Sequence, residues 1–369
     1  MSLPIPVIDK KKSKYILITH CDSYLGRILA IHLAEEISKH DKKKHWFVRA
    51  MCKEKTKFRK EFEKRGIEVK EVDYESQKMI TEAMEGRIKT MIFNPLTDED
   101  RLVTEAINVL DVARKKKIGY VVMVSLQLDQ YGKWVVFRIS FIQQYLYFWT
   151  KMIESKAMMG MPIAQTDNLE TVHVKDICNC VAQAALTKKS MVWDAHVYLE
   201  KRVYDLKSVP SFTLHNITKS LLDSLKEDGG KVPDVHSVVL TEEQMRNYLQ
   251  LVARGTKSKE LTHLLDSASI NLPPAAKPGL VQNTVYGLTR LLFTQTREED
   301  DPNWCPYPDD LTPFRIQLIM SHFQLARNPQ WMPVVGSPTD IRDITGRDPI
   351  AISKFFMNNR RRFRGNNLI

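Results

Sequence analysis

The sequence predicts an α/β fold, a doubly wound parallel sheet with helices on both faces, followed by a mostly helical C-terminal region. Three observations predict it. Short apolar runs alternate with amphipathic stretches through residues 14–125. Some of those runs, VVMV at 121–124 above all, are apolar without a break. From Ser208 onward helical spacing takes over. Strand–helix alternation is the pattern of a parallel sheet, and strands covered on both sides lose the in-and-out alternation of a half-exposed sheet.

The elements follow in order. YILIT (15–19) reads as the first strand and residues 25–37 as the first helix, with apolar positions at helical spacing. HWFVRAM (45–51) is the second strand; residues 55–65 form a helix stopped at Gly66. IEVKEVDY (67–74) is the third strand, Ser76 to Met84 a short helix with Gly86 behind it, and TMIFNP (90–95) the fourth strand. A long helix over 99–116 ends before Ile118-Gly119 and leads into strand five, YVVMVS (120–125). WVVFRI (134–139) is a sixth strand and VYLE (197–200) a seventh. Further helices are expected at 213–226, 241–253, 258–266, 280–297, 311–326 and 350–362. The domain reading is a basic tail over 1–13, a sheet domain over 14–204 and a helical region over 205–369, with 254–335 as an unassigned insertion.

Composition narrows the class. With 369 residues, 43% of them hydrophobic and 27% charged, the chain has the balance of a folded globular protein. Its five cysteines make no disulfide framework, and Cys178 and Cys180 lack the second pair a structural zinc needs. Reduced thiols fit the cytoplasm or nucleus. The longest apolar stretch, Trp134 to Trp149, is broken by Arg138, Gln143 and Gln144 and falls short of the roughly 20 residues that span a bilayer. The net charge of +11 comes in lysine and arginine knots, including Arg360–Arg364. None is interleaved with stacking aromatics, so they read as solvated surface, and direct nucleic-acid contact is not expected. His32, His40 and His45 do not form a metal-binding HExxH pattern.

The turn after strand one carries the functional signal. It reads Thr19-His20-Cys21-Asp22-Ser23-Tyr24-Leu25-Gly26. A dinucleotide site needs glycines there for a tight turn, for close approach of the pyrophosphate and for helix–strand packing, and the following helix N-terminus faces the phosphates. The turn resembles the TGxxGxLG motif of the NmrA-like branch of the extended short-chain dehydrogenase/reductases. Thr19, Leu25 and Gly26 match; His20 and Ser23 replace glycines. VRAMCKE (48–54), VDYES (72–76), residues 101–125, TVHVKDICNCVAQAAL (171–186), 203–217 and 344–363 extend the resemblance.

It implies a Rossmann-like domain and a cofactor set of Thr19, His20, Asp22, Ser23, Tyr24, Leu25, Gly26, Arg49, Lys53, Asp73, Tyr74, Asn94, Pro95 and Ser125. A left-handed backbone at His20 costs roughly 1–2 kcal/mol, which the turn tolerates. The Ser23 side chain either crowds the pyrophosphate or donates to it, and the Asp22 charge opposes it. Arg49 and Lys53 stand where an NAD protein holds an acidic residue for the ribose diol, so NADP is preferred over NAD. Asp73 and Tyr74 flank the adenine by resemblance.

Catalytic relatives use Ser and Tyr-x-x-x-Lys. Ser125 ends strand five, and no Tyr-x-x-x-Lys is read after it; Tyr131-Gly132-Lys133 has the wrong spacing. Only eight residues, 126–133, separate Ser125 from Trp134. A crossover with a helix needs roughly 10–12, so no helix fits there. Strand six either joins in parallel through an extended link or forms a hairpin, and one sheet face is expected to lose its cover. The resemblance therefore implies a non-catalytic, redox-sensing NAD(P)-binding protein with a protein partner such as a transcription regulator. An atypical NADPH-dependent oxidoreductase is the alternative, and a fold that has lost its cofactor a second. Asp176 is expected to cap its helix, and the FIQQYLYFW stripe (141–149) reads as core or pocket wall.

Overall fold

The computed structural model describes residues 13–40, 45–53, 58–94, 99–124, 134–186, 202–226, 235–255, 304–331 and 337–363. The chain runs β1 (Lys14–Ile18), α1 (Tyr24–His40), β2 (Trp46–Cys52), α2 (Arg59–Lys64), β3 (Glu68–Glu71), α3 (Gln77–Ala83), β4 (Ile88–Phe93), α4 (Glu99–Lys115), β5 (Val121–Val124) and β6 (Trp134–Ile139). It continues through β7 (Phe141–Ile142), a 3-10 segment (Gln143–Trp149), α5 (Thr150–Lys156), β8 (Met158–Met161), β9 (Thr171–Val172), α6 (Val174–Leu186), β10 (Arg202–Leu206), α7 (Leu214–Lys226), β11 (His236–Val239) and α8 (Glu242–Ala253). The last helices are α9 (Pro313–Arg327), α10 (Asp340–Thr345) and α11 (Ile352–Phe363). The strand expected at 197–200 and the helices expected at 258–266 and 280–297 lie outside the described residues.

Two units are defined. The first takes Met1–Ile139, Val174–Leu206 and Val335–Asp348; the second takes Ser140–His173, Lys207–Val334 and Pro349–Ile369. The sequence reading places boundaries after residues 13 and 204. The segment 140–173 leaves the sheet unit, and α10 returns to it. Backbone hydrogen bonding explains that return: the Asp205 N–H donates to the Asp340 carboxylate at 2.8 Å.

The first unit is a seven-stranded sheet in the order β10-β6-β5-β4-β1-β2-β3, with every adjacent pair parallel. Parallel β5 and β6 settle the open question in favour of the non-hairpin arrangement; the link between them lies outside the described residues. The sheet does not lose its cover. Val121–Val124 and Val135–Phe137 are buried. Register explains this. Phe93, Met123, Val136 and Val203 form one row across four strands, and that row packs with Val109, Val112 and Ala113 of α4 in one core cluster. On the other face α6 packs on α1, β4 and β5.

Helix ends obey local rules. Gly66 and Gly86 take positive φ after α2 and α3, and Ser76 accepts from Met79 N–H at the start of α3. The left-handed residue that ends α4 is Lys117, not Gly119; Ile118 N–H bonds to Ala113 and Lys117 N–H to Arg114, a Schellman closure. Asp176 sits in the first turn of α6 rather than ahead of it, where its charge suits the helix dipole. At the far edge of the sheet Arg138 and Asp205 form a buried two-pronged ion pair, at 2.5 and 2.6 Å.

The second unit pairs β7 with β9 and β8 with β11, both in parallel. The 141–149 stripe is its core. Phe141, Tyr145, Phe148 and Trp149 are buried, and Phe323 of α9 packs on Phe141 and Trp149. Trp149 satisfies its indole N–H on the Gly160 carbonyl at 2.6 Å. α11 is no solvated tail end: Asn359, Arg360 and Phe363 are buried, and the Phe363 ring stacks on Tyr147. Among the described residues no helix is long and apolar enough to cross a membrane.

Candidate functional site

The sheet reverses its strand order between β1 and its neighbours β2 and β4. Ligands of open α/β sheets bind beyond the strand C-termini at such a switch point. Here that place is the turn from Thr19 to Gly26. Thr19 N–H donates to Ile92 O at 3.1 Å, and Asn94 N–H donates to the Thr19 hydroxyl at 2.9 Å, tying β1 to β4. His20 occupies the left-handed region, φ 51°, in place of the first motif glycine. Ser23 needs no such conformation. Its hydroxyl donates to His20 O at 2.7 Å and accepts from Gly26 N–H at 3.2 Å and from Asn94 Nδ2 at 3.1 Å.

The Ser23 side chain is therefore turned into the loop and acts as a cap for α1. The hydroxyl expected to crowd or to bond a pyrophosphate is engaged here by three partners of the turn. Gly26 is the glycine the fold requires. A Cβ there would lie 2.3 Å from His20 O and 2.9 Å from His20 C. The glycine that serves packing survives; the one for the tight turn is His20 and the one for pyrophosphate approach is Ser23.

Around His20 a buried polar chain has formed. Its N–H donates to the Tyr74 hydroxyl at 2.7 Å, which donates to Met51 O at 3.1 Å. Its imidazole lies flat on the Tyr74 ring, with centroids 3.9 Å apart and planes 9° apart. Its Nε2 meets Glu105 Oε2 at 3.1 Å, and Lys53 Nζ meets Glu105 Oε1 at 2.7 Å. Burial alone would raise the Glu105 carboxyl; hydrogen bonds from His20 and Lys53, with their charge, outweigh it and bring it down to about 2. Burial pushes the Tyr74 hydroxyl and the thiols of Cys21 and Cys52 well up, so none is an ionised nucleophile. Three buried atoms at this turn have no hydrogen-bond partner: His20 Nδ1, Asp22 Oδ1 and Asn94 Oδ1.

Of the expected site residues, Thr19, His20, Asp22, Ser23, Tyr24, Leu25, Gly26, Lys53, Tyr74 and Asn94 lie at or around this turn. Tyr24 and Leu25 are buried in the first turn of α1. Asp73 is exposed and bonds the Glu75 N–H at 2.9 Å. Pro95 and Ser125 lie outside the described residues. Arg49 departs from the expectation. In mid-strand it shares a sheet face with Leu17, and it is spent on structure. Its guanidinium donates to Glu68 at 2.9 and 3.0 Å, to Ala83 O at 3.0 Å and to Glu85 O, and lies 4.1 Å from the centre of the Tyr15 ring.

Sequence reasoning missed Glu105. The signal was present: Glu105, Val109 and Val112 share the apolar stripe of α4, and a carboxylate on a buried stripe needs partners. It also passed over two Tyr-x-x-x-Lys spacings, Tyr74–Lys78 and Tyr147–Lys151. The Tyr74 hydroxyl is engaged as described. Tyr147 packs against Phe355 and Phe363, while Lys151 is exposed and faces Glu154 at 3.8 Å. Among the described residues no group of three or more His, Cys, Asp or Glu is placed to hold a metal.

Comparison with known proteins adds the fold class. No family profile and no curated protein matches the chain. Solved structures do. A nucleoside-diphosphate-sugar epimerase from Staphylococcus aureus aligns with TM-score 0.57 at 12% identity, covering 93% of this chain and 99% of its own. A triphenylmethane reductase from a Citrobacter species aligns with TM-score 0.50 at 16% identity, over 70% of this chain and 92% of its own. These likenesses show the fold alone, a Rossmann-like α/β sheet with flanking helices and a helical C-terminal region. A dinucleotide fits the turn in part. The α1 N-terminus and the Gly26 contact are those of a phosphate turn, and Asp22 and Asn94 each keep one buried side-chain oxygen without a partner there. The Tyr74 face and the Lys53 charge, expected to meet adenosine, are held by His20 and Glu105.

Proposed function

We propose that the chain is an NmrA-like, non-catalytic binding protein that takes NADP at the β1–α1 turn and relays its occupancy to a protein partner in the cytoplasm or nucleus. One observation carries the nucleotide reading: the turn where this fold class holds its cofactor keeps three buried polar atoms without partners. Leaving such atoms unpaired costs about 1–3 kcal/mol each, and a ligand that supplies their partners recovers it. Preference for NADP over NAD rests on Lys53, since Arg49 is committed to Glu68. The non-catalytic reading rests on the Tyr-x-x-x-Lys spacings, whose tyrosines are both packed away from a free, lysine-assisted hydroxyl. A transcription regulator is the kind of partner the resemblance names.

Thermal unfolding of the full chain in NADP, NADPH and NAD tests this. A ligand at about 100 times its dissociation constant adds about 2.7 kcal/mol, so the transition rises, and more with NADP than with NAD. No shift with any of the three at millimolar concentration overturns the reading. Steady NADPH oxidation with a quinone or aldehyde makes the chain a reductase instead.

A further inference from the structure

We propose that His20 is an internal latch over the adenosine end of this site: its ring covers the Tyr74 face, and Glu105 and Lys53 hold it there until a nucleotide displaces it. The proposal rests on the NADP reading and adds its regulation.

Three features of the chain support it. The first is shape. A flat heteroaromatic ring stacked 3.9 Å from a tyrosine, nearly parallel to it, is the arrangement a bound base adopts; His20 and Tyr74 are 2% and 1% exposed, so the face is closed. The second is coupling. The carboxylate that anchors His20 is the one that ties up Lys53. Movement of that one carboxylate therefore releases both the ring over the stacking face and the cation for a 2′-phosphate. The third is incomplete satisfaction. The closed arrangement leaves His20 Nδ1, Asp22 Oδ1 and Asn94 Oδ1 without partners, and it holds His20 at the positive φ that glycine takes most readily. The chain has supplied its own occupant of the base position, but one that does not meet every polar atom around it. A latch of this kind lowers apparent affinity by the fraction of time it stands open.

Calorimetric titration of the full chain tests it with 2′,5′-ADP, NADP and nicotinamide mononucleotide against wild type, His20→Gly and Glu105→Gln. His20→Gly removes the ring and restores the residue the left-handed φ favours. Glu105→Gln keeps the shape and removes the anchoring charge. Both variants are expected to bind 2′,5′-ADP and NADP at least tenfold tighter than wild type, about 1.4 kcal/mol, with nicotinamide mononucleotide unchanged. Equal NADP affinity in all three proteins overturns the latch and leaves the NADP reading standing. Binding by both variants but not by wild type supports the latch and overturns that reading for the native chain. A gain in His20→Gly alone overturns the anchoring role of Glu105 and with it the latch. No binding by any of the three overturns both.

Discussion

Replacing Gly26 with alanine sets two physical effects against each other. On propensity alone the change is favourable, because alanine gains up to about 1 kcal/mol over glycine inside a helix. Geometry opposes it. The new Cβ would lie 2.3 Å from His20 O, 2.9 Å from His20 C and 3.0 Å from Asn94 Nδ2. Two of those atoms are backbone in a turn pinned by Thr19 and Ser23, so no side-chain rotation relieves the overlap. Overpacking of this kind costs roughly 1–3 kcal/mol, and a backbone clash belongs at the upper end. The expected net loss is about 2 kcal/mol, or roughly 4–8 °C in Tm for a unit of this size. Scanning calorimetry of Gly26→Ala beside Gly119→Ala isolates the effect, since the nearest atom to a Cβ at Gly119 is Lys89 O at 3.8 Å. A Gly26→Ala protein that melts with or above wild type refutes the packing argument, because propensity would then have won.

Other outcomes follow from buried groups. Burial lowers the His322 pKa from its ordinary 6.5 to about 4; the folded state resists the proton that the unfolded state accepts. The stability this contributes is complete above pH 6.5 and is lost as pH falls toward 4, amounting to about 3 kcal/mol; His322→Leu should flatten urea midpoints measured between pH 7 and 4, and an unchanged slope counts against burial as the cause. Glu105, lowered to about 2, behaves alike in a lower window, contributing stability above about pH 4.5 that disappears as pH falls toward 2, and acid titration of Glu105→Gln should lack that step. Arg138→Met removes both hydrogen bonds that the guanidinium gives the buried Asp205 carboxylate and should cost about 3–5 kcal/mol, whereas Arg138→Met with Asp205→Leu should recover most of it; equal chemical stability of single and double variants would show that the two side chains are not coupled.

The strands and helices of the first unit were legible because their signals are local. VVMV fits a strand buried on both faces, and β1 to β5 fall within a few residues of their expected positions. The turn was legible too, since Leu25 and Gly26 must pack whatever becomes of the ligand. Side-chain direction was not. Arg49 looked like a phosphate ligand because the expected second strand ended at Met51, and in mid-strand the pairing register turned it onto Glu68 instead. Ser23 looked like an obstacle to phosphate and proved a cap for its own helix.

By itself, the sequence determined a parallel α/β sheet with a glycine-dependent first turn, because apolar periodicity and a steric need for the missing Cβ act over a few consecutive residues. Only the tertiary structure decided that His20, Lys53, Tyr74 and Glu105 meet in one buried chain. Those residues come from the first turn, the end of β2, the loop after β3 and the middle of α4. No local pattern links them; strand order brings them together, and a buried carboxylate holds them there because it must find its partners.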